Sequence, residues 1–281
     1  MRSLIDRFRT VLWSGIVAFL ILAVGQGIWG PLAFLNLKTT PAIPWAVLIM
    51  APVLWLLWRF LGGEARRNYL RANAVPGPVF AWALVAGALS IVAFAGYWIV
   101  MFQLFKMPGN LVPDTSKYPL WTLVALLVMG SLAAPFSEEA AFRGYAQVML
   151  ERKFRGPVAV VISSVMFALA HLTQGFLLPK QFVYFLAGLT LGTIAYLTKS
   201  ILPGIAVHIV ADMTFFTMVW PYDTTRRLVS EGGADAWFWI HVAQAVVFTA
   251  LAILAYTRLA DAAGFKPSET RMALDTSIVS A

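Results

Sequence analysis

Residues 120–150 read LWTLVALLVMGSLAAPFSEEAAFRGYAQVML, an apolar stretch that ends in a short group of charged side chains. No charged residue occurs from Leu120 to Ser137, and Glu138, Glu139 and Arg143 then follow in quick succession. A helix that crosses the hydrocarbon of a bilayer needs about 20 mostly apolar residues. This stretch therefore predicts a membrane-spanning helix that carries charge within its span.

The composition of the whole chain also indicates a membrane protein. Of its 281 residues, 60% are hydrophobic and 12% are charged, whereas a soluble domain is about 45–50% apolar and about 25% charged. So few charges cannot cover the surface of a water-soluble fold, which excludes a cytosolic enzyme. The chain has no Cys, which excludes a disulfide scaffold, a thiol nucleophile and a thiolate metal site.

Apolar runs alternate with short polar, basic or Pro/Gly-containing segments along the chain. The runs cover residues 11–35, 45–61, 78–105, 120–136, 157–172, 182–197, 201–220 and 236–256. Because helices satisfy their own backbone hydrogen bonds in lipid, we expect an all-α, polytopic transmembrane bundle of about eight spans. The fifth and sixth runs are short, so seven spans with one re-entrant segment is the alternative.

Lysine and arginine are distributed unevenly over the loops. With the N-terminus in the cytoplasm, cytoplasmic segments hold 14 of the 21 Lys and Arg, the opposite side holds 6, and Arg143 lies inside the fourth span. Because cytoplasmic loops carry the basic excess, we expect a multi-pass plasma membrane protein with both termini in the cytoplasm. Arg66, Arg67 and Arg71 are expected to contact anionic lipid headgroups, and the charge of +8 does not indicate a nucleic acid partner.

Ionisable side chains recur inside the later spans. They are Glu138, Glu139 and Arg143 in the fourth, His171 in the fifth, and His208 and Asp212 in the seventh. A charge at the centre of a span costs about 2.5–3.5 kcal/mol on insertion scales, so each should have a partner or a function. Glu139 precedes Arg143 by four residues, the order that favours an ion pair on one helix face. Glu138 is rotated by about 100° and stays free for chemistry.

Three short motifs, in this order, resemble those of the CPBP intramembrane proteases, a group named for CAAX and bacteriocin processing and also called Abi. Glu138–Gly144 is similar to EExxxR, Phe167–His171 to FxxxH, and His208–Asp212 to HxxxN/D. The resemblance divides the chain into four parts. These are N-terminal spans without motifs (1–119), a catalytic core (120–220), a C-terminal span (221–260) and a cytoplasmic tail (261–281).

The resemblance implies an intramembrane endopeptidase whose site lies between the fourth, fifth and seventh helices. In that family the first Glu, here Glu138, activates the attacking water, and the first His, here His171, assists it. The second His and its partner, here His208 and Asp212, polarise the scissile carbonyl and stabilise the oxyanion. The supporting residues are Glu139, Arg143 and Phe167.

The sequence leaves the cofactor open. Asp212 stands where the motif also allows Asn, and an ionised Asp accepts hydrogen bonds but cannot donate one to an oxyanion. Asp212 is therefore protonated by burial, or orients His208, or binds a metal. A divalent ion such as zinc has four candidate ligands, namely Glu138, His171, His208 and Asp212. Against a metalloendopeptidase, the chain lacks an HExxH motif.

We expect the substrate to be a membrane-embedded or lipidated peptide or protein, cut in CAAX-type processing, peptide maturation or bacteriocin immunity. Two other functions stay open at this stage. A proton-coupled transporter would also place acids and imidazoles inside the membrane, although such proteins are commonly built from two similar halves. A non-catalytic membrane scaffold would need none of these acids.

Overall fold

The computed structural model describes residues 2–60, 69–110, 116–174 and 177–265. Helices account for most of these residues, and no strand occurs among them. The predicted all-α polytopic bundle is therefore confirmed. Arg66, Arg67 and residues 266–281 of the predicted tail lie outside the described residues.

The helices of the described residues follow one another along the chain. They are α1 (Arg2–Thr39), α2 (Trp45–Phe60), α3 (Gly77–Leu104), α4 (Leu120–Glu138), α5 (Gln147–Glu151), α6 (Gly156–Ala170), α7 (Leu178–Thr198), α8 (Leu202–Thr214), α9 (Val229–Gly232) and α10 (Ala236–Ala262). Two π-helical segments, Glu139–Ala146 and Phe215–Val219, continue α4 and α8, and two 3-10 turns cover His171–Gln174 and Trp220–Thr225.

Six stretches of the described residues are long and apolar enough to cross a membrane. They are Leu4–Thr39, Gly77–Leu104, Leu120–Glu151, Leu178–Thr198, Leu202–Thr225 and Ala236–Ala262. Two further apolar helices, Trp45–Leu56 and Gly156–Ala170, are shorter. All eight apolar runs thus form helices, and six of these have full spanning length. The protein is a multi-pass membrane protein.

Helices α6 and α7 differ in length, which the two short apolar runs at 157–172 and 182–197 did not predict. Helix α6 has 15 residues and rises about 22 Å, less than the roughly 30 Å of a bilayer core. Helix α7 begins earlier than its apolar run, at Leu178, with a proline in its first turn, and has 21 residues. The apolar run did not predict this start, because the first turn of the helix contains the polar residues Lys180 and Gln181.

Helix α7 packs closely against α6 and against the span that carries the charges. A Cβ atom added to Gly188 would lie 2.9 Å from Cα of Ser164 on α6, so the two backbones are in contact there. The Gly188 carbonyl accepts a hydrogen bond from Nη2 of Arg143 at 3.3 Å. One turn later, the Gly192 carbonyl accepts one from Nε2 of Gln147 at 3.0 Å. The GxxxG spacing thus lets α7 pack closely against α6 and against the span that carries the charges.

The fourth span lies inside the bundle at its charged end, whereas Leu120, Trp121 and Val124 near its start are exposed. Its first part, α4, contacts α1 and α8, and its π-helical segment contacts α1, α6 and α7. By contrast, only 17% of the most apolar window of α1 is buried, and large apolar side chains such as Leu20, Leu48 and Leu254 are exposed. The outer surface is suited to lipid, and the polar groups of the charged span are surrounded by protein.

Candidate active site

The helix that carries the two adjacent acids is irregular where they occur. Pro135 lies inside α4 and has no N–H for the helical ladder. The Ser137 hydroxyl donates to carbonyl oxygens three and four residues back, at 2.9 and 3.1 Å, a contact that bends helices. The π-helical segment begins at Glu139, and such segments are frequent at functional sites. As a result, Glu138 and Glu139 approach the imidazole of His208 from two sides.

Glu139 and Arg143 form the ion pair that their spacing predicted. Oε1 of Glu139 lies 3.0 Å from Nη1 of Arg143, and both side chains are fully buried. The guanidinium also lies over the Phe167 ring, 4.2 Å from its centroid. Helix α8 passes close by, since a Cβ atom on Gly204 would lie 3.2 Å from Oε2 of Glu139. This approach places His208, one turn beyond Gly204, against the ion pair.

His208 lies between three carboxylates. Its Nδ1 lies 3.0 Å from Oε1 of Glu139, and because a carboxylate only accepts, Nδ1 carries a hydrogen. Its Nε2 lies 3.6 Å from Oε2 of Glu138 and 3.6 Å from Oδ1 of Asp212. The i, i+4 spacing of His208 and Asp212 thus brings both groups to one place. The imidazole bridges the ion pair and the two remaining acids.

Glu138 differs from Glu139 in what its two oxygens contact. Its Oε1 accepts a hydrogen bond from Nε2 of Gln26 on α1 at 3.2 Å. Its Oε2, like Oε2 of Glu139, is buried and has no hydrogen-bond partner, but of the two side chains Glu138 is the one that lines the cavity. An unsatisfied buried carboxylate oxygen is costly unless it serves a function or binds water. This oxygen is therefore the one available to a reacting water.

His171 lies in the turn directly after α6. Its Nδ1 is 2.9 Å from the Phe167 carbonyl oxygen, and a carbonyl only accepts, so Nδ1 carries the hydrogen. In the neutral ring, Nε2 is then the proton acceptor. The ring stacks on Tyr184 of α7, with centroids 4.1 Å apart and planes inclined by 25°. The hydrogen bond to Phe167 and the stacking on Tyr184 therefore fix the orientation of the His171 ring.

One cavity connects these groups. It encloses about 560 Å³ and is lined by residues of α1, α3, α4, α6, α7 and α8, a volume within the usual range for ligand pockets of about 300–1,000 Å³. Its polar side chains include Gln26, Glu138, His171, Tyr184, His208 and Asp212. Phe167 also lines the cavity, whereas Glu139 and Arg143 lie behind it.

The side chains around the cavity do not form an evident metal centre. Among the described residues, no group of three or more His, Asp and Glu side chains is placed to hold a metal ion. Nδ1 of His208 and Nδ1 of His171 are both engaged, with Glu139 and with a backbone carbonyl. Of the four candidate ligands, Glu138 and Asp212 face the remaining nitrogen of His208 at a distance typical of an ion pair.

Gln26 and Tyr184 are among the cavity residues that were not predicted from the sequence. Gln26 lies in the part of the chain that carries no motif, and a single amide between Gly25 and Gly27 in an apolar run was the available signal. Tyr184 gave no signal, because an aromatic residue in a membrane helix is common. The cavity therefore has walls from α1, α3 and α7 as well as from the three helices that were predicted.

Comparison with known proteins gives a family match for part of the chain. Residues 119–214 match the family described as type II CAAX prenyl endopeptidase Rce1-like, and all three motifs fall within the match. No curated protein and no solved structure matches the chain. The match covers a minority of the 281 residues and supports an intramembrane endopeptidase of the CAAX type. Through this segment, the chain is similar to the Rce1-like family of type II CAAX prenyl endopeptidases.

Proposed function

We propose that the protein hydrolyses a peptide bond inside the membrane with a water molecule that Glu138 activates. The observation that carries this proposal is Oε2 of Glu138, which is buried, has no hydrogen-bond partner and belongs to a side chain that lines the cavity. A general base must reach the proton that it removes. A water in the cavity can meet this requirement at Oε2.

In the first step, Glu138 takes a proton from the water, and the water oxygen attacks the carbonyl carbon of the peptide bond. His171 presents Nε2 as an acceptor toward the same cavity, so it orients the water. The attack turns the carbonyl oxygen into an oxyanion. When the C–N bond breaks, the proton held by Glu138 passes to the leaving nitrogen, and the carboxylate is restored.

His208 stabilises the oxyanion in this mechanism. With both ring nitrogens protonated, it donates from Nδ1 to Glu139 and from Nε2 to the developing negative charge. The surrounding carboxylates balance the charge of the imidazolium. Of the three alternatives for Asp212, we favour orientation of His208 by charge attraction, because its Oδ1 lies 3.6 Å from Nε2 of that ring, a distance that leaves the Nε2 hydrogen available to the oxyanion.

The proposed substrate is an apolar, membrane-embedded or lipidated peptide, since most of the cavity wall is apolar. CAAX-type processing is the first candidate, in line with the family match. We place the protein in the plasma membrane with both termini in the cytoplasm, on the basis of the Lys and Arg distribution. Anionic lipid headgroups are the partners of its basic cytoplasmic segments.

The decisive experiment reconstitutes the purified protein in liposomes with a library of membrane peptides, including prenylated CAAX peptides and matched unlipidated ones. Wild-type protein should cleave at least one member, and Glu138→Ala and His171→Ala should abolish cleavage while the protein stays folded. Undiminished cleavage by both variants would refute the mechanism. Proton flux across the same liposomes, lost in Glu138→Gln without any cleavage, would instead support a transporter.

A chelator arm of this experiment tests the cofactor. The mechanism uses carboxylates and imidazoles alone, so we expect cleavage to survive dialysis against a strong chelator. Loss of cleavage that added Zn²⁺ restores would show that the reaction depends on a metal, for which Glu138, His171, His208 and Asp212 are the candidate ligands.

A further inference from the structure

The first helix contributes a polar side chain to the cavity, although this helix lies outside the segment that matches the family. Gln26 lines the cavity, and its Nε2 lies 3.2 Å from Oε1 of Glu138. The carboxylate can only accept, so the amide is the donor. A polar amide inside a membrane helix is expensive without a partner, and Glu138 is the partner that the structure provides.

The contact is built into the packing of the two helices. A Cβ atom added to Gly25 would lie 2.4 Å from Cβ of Ser137, the residue before Glu138. Only glycine at position 25 lets α1 come this close without displacing α4. The close approach puts the next residue of α1 opposite the next residue of α4. Gln26 and Glu138 are therefore brought together by the backbone and not by a flexible reach across the cavity.

The hydrogen bond distinguishes the two oxygens of Glu138. Oε1 is held by Gln26, whereas Oε2 has no hydrogen-bond partner and lies 3.6 Å from Nε2 of His208. A carboxylate without the first contact could rotate about its side-chain torsions and turn either oxygen away from the cavity. Fixing a catalytic group in its productive geometry is a recognised source of rate enhancement.

We propose that Gln26 is a positioning residue, which holds Glu138 by one oxygen so that the other faces the reacting water. This inference rests on the proposed function. It also explains why a helix without any motif is part of the site. Gln26 acts through Glu138 and does not itself touch the reacting atoms.

The test replaces Gln26 by methionine, which has a similar length and no hydrogen-bond donor. With the peptide that the wild-type protein cleaves best in liposomes, Gln26→Met should lower kcat about 10–100-fold, the value of a hydrogen bond to a charged group. KM should stay nearly unchanged, because substrate contacts are not removed. Gln26→Asn keeps a donor on a shorter side chain, and its kcat should lie between those of the wild type and Gln26→Met.

A matched control separates positioning from stability. Gln244 on α10 donates to the Val92 carbonyl at 2.7 Å and does not line the cavity. Gln244→Met should lower the melting temperature and leave kcat unchanged. If Gln26→Met lowers the melting temperature but not kcat, or raises KM alone, the positioning role is refuted. If Gln26→Met does not fold, an unchanged kcat in Gln26→Asn would refute the positioning role.

An infrared measurement tests the hydrogen bond without any substrate. The difference spectrum between wild type and Glu138→Gln isolates the bands of the Glu138 side chain. Those bands should shift in the Gln26→Met background, and unshifted bands would overturn the inference. A loss of cleavage in Glu138→Gln with wild-type kcat in Gln26→Met refutes the inference alone, whereas full cleavage by Glu138→Gln refutes the proposed function.

Discussion

Glu138 and Glu151 lie on the same membrane span, Leu120–Glu151, yet their surroundings differ. Both oxygens of Glu151 have partners. Arg71 pairs with the two oxygens, Nε2 of Gln147 donates to Oε1 at 3.0 Å, and Nζ of Lys199 lies 3.6 Å from Oε2. Glu138 has one hydrogen bond, and its Oε2 has none.

A carboxylate in a membrane span is therefore not by itself a sign of catalysis. Glu151 links the end of its own span to Arg71, which precedes α3, and to Lys199, which directly follows α7. Its two cationic partners, Arg71 and Lys199, both have left-handed backbones, with φ of 52° and 53°, a conformation that costs about 1–3 kcal/mol for such residues. Contacts with Glu151 offset that strain. A buried oxygen without a hydrogen-bond partner, on a side chain that lines a cavity, is the feature that indicates chemistry at Glu138.

The largest change in stability is expected at the buried ion pair behind the cavity. Arg143→Leu leaves the fully buried Glu139 without its cation, so the free energy of unfolding should fall by about 3–5 kcal/mol. Thermal unfolding in detergent measures this fall, with Arg258→Leu, an exposed site, as the control. Equal melting temperatures for the two variants would show that Arg143 does not stabilise the buried carboxylate of Glu139.

A smaller loss of stability should follow from Glu151→Gln. The amide cannot form ion pairs with Arg71 and Lys199, so the free energy of unfolding should drop by about 1–3 kcal/mol. Peptide cleavage per folded molecule should stay at the wild-type level, because Glu151 does not line the cavity. A strong loss of cleavage at unchanged stability would remove the contrast between the two acids.

The smallest effect is expected where His171 stacks on Tyr184. Tyr184→Leu removes an aromatic contact, which should lower kcat about 3–10-fold through a less well fixed imidazole. Tyr184→Phe keeps the stacked ring and should retain most of the activity. Steady-state cleavage in liposomes gives both values, and equal rates for the Phe and Leu variants would show that stacking does not orient His171.

The fold and part of the site could be predicted from short-range spacing. The Glu139–Arg143 pair follows from i, i+4 geometry, and the apolar runs locate every apolar helix. Contacts between distant helices could not be predicted, since nothing in residues 11–35 indicates that Gly25 packs on Ser137. The switch to π-helical geometry after Pro135, which lets two adjacent acids reach one imidazole, was not predicted either, although Pro135 and Ser137 are local signals of an irregular helix.

The sharpest single test compares Glu138→Gln with Glu151→Gln in single-turnover cleavage of one peptide in liposomes. Both substitutions remove one negative charge from the same span and keep the size of the side chain. If Glu138 activates the water, its variant should react about 10²–10⁴-fold more slowly than wild type, and the Glu151 variant should match wild type. Equal rates for the two variants would contradict a catalytic Glu138.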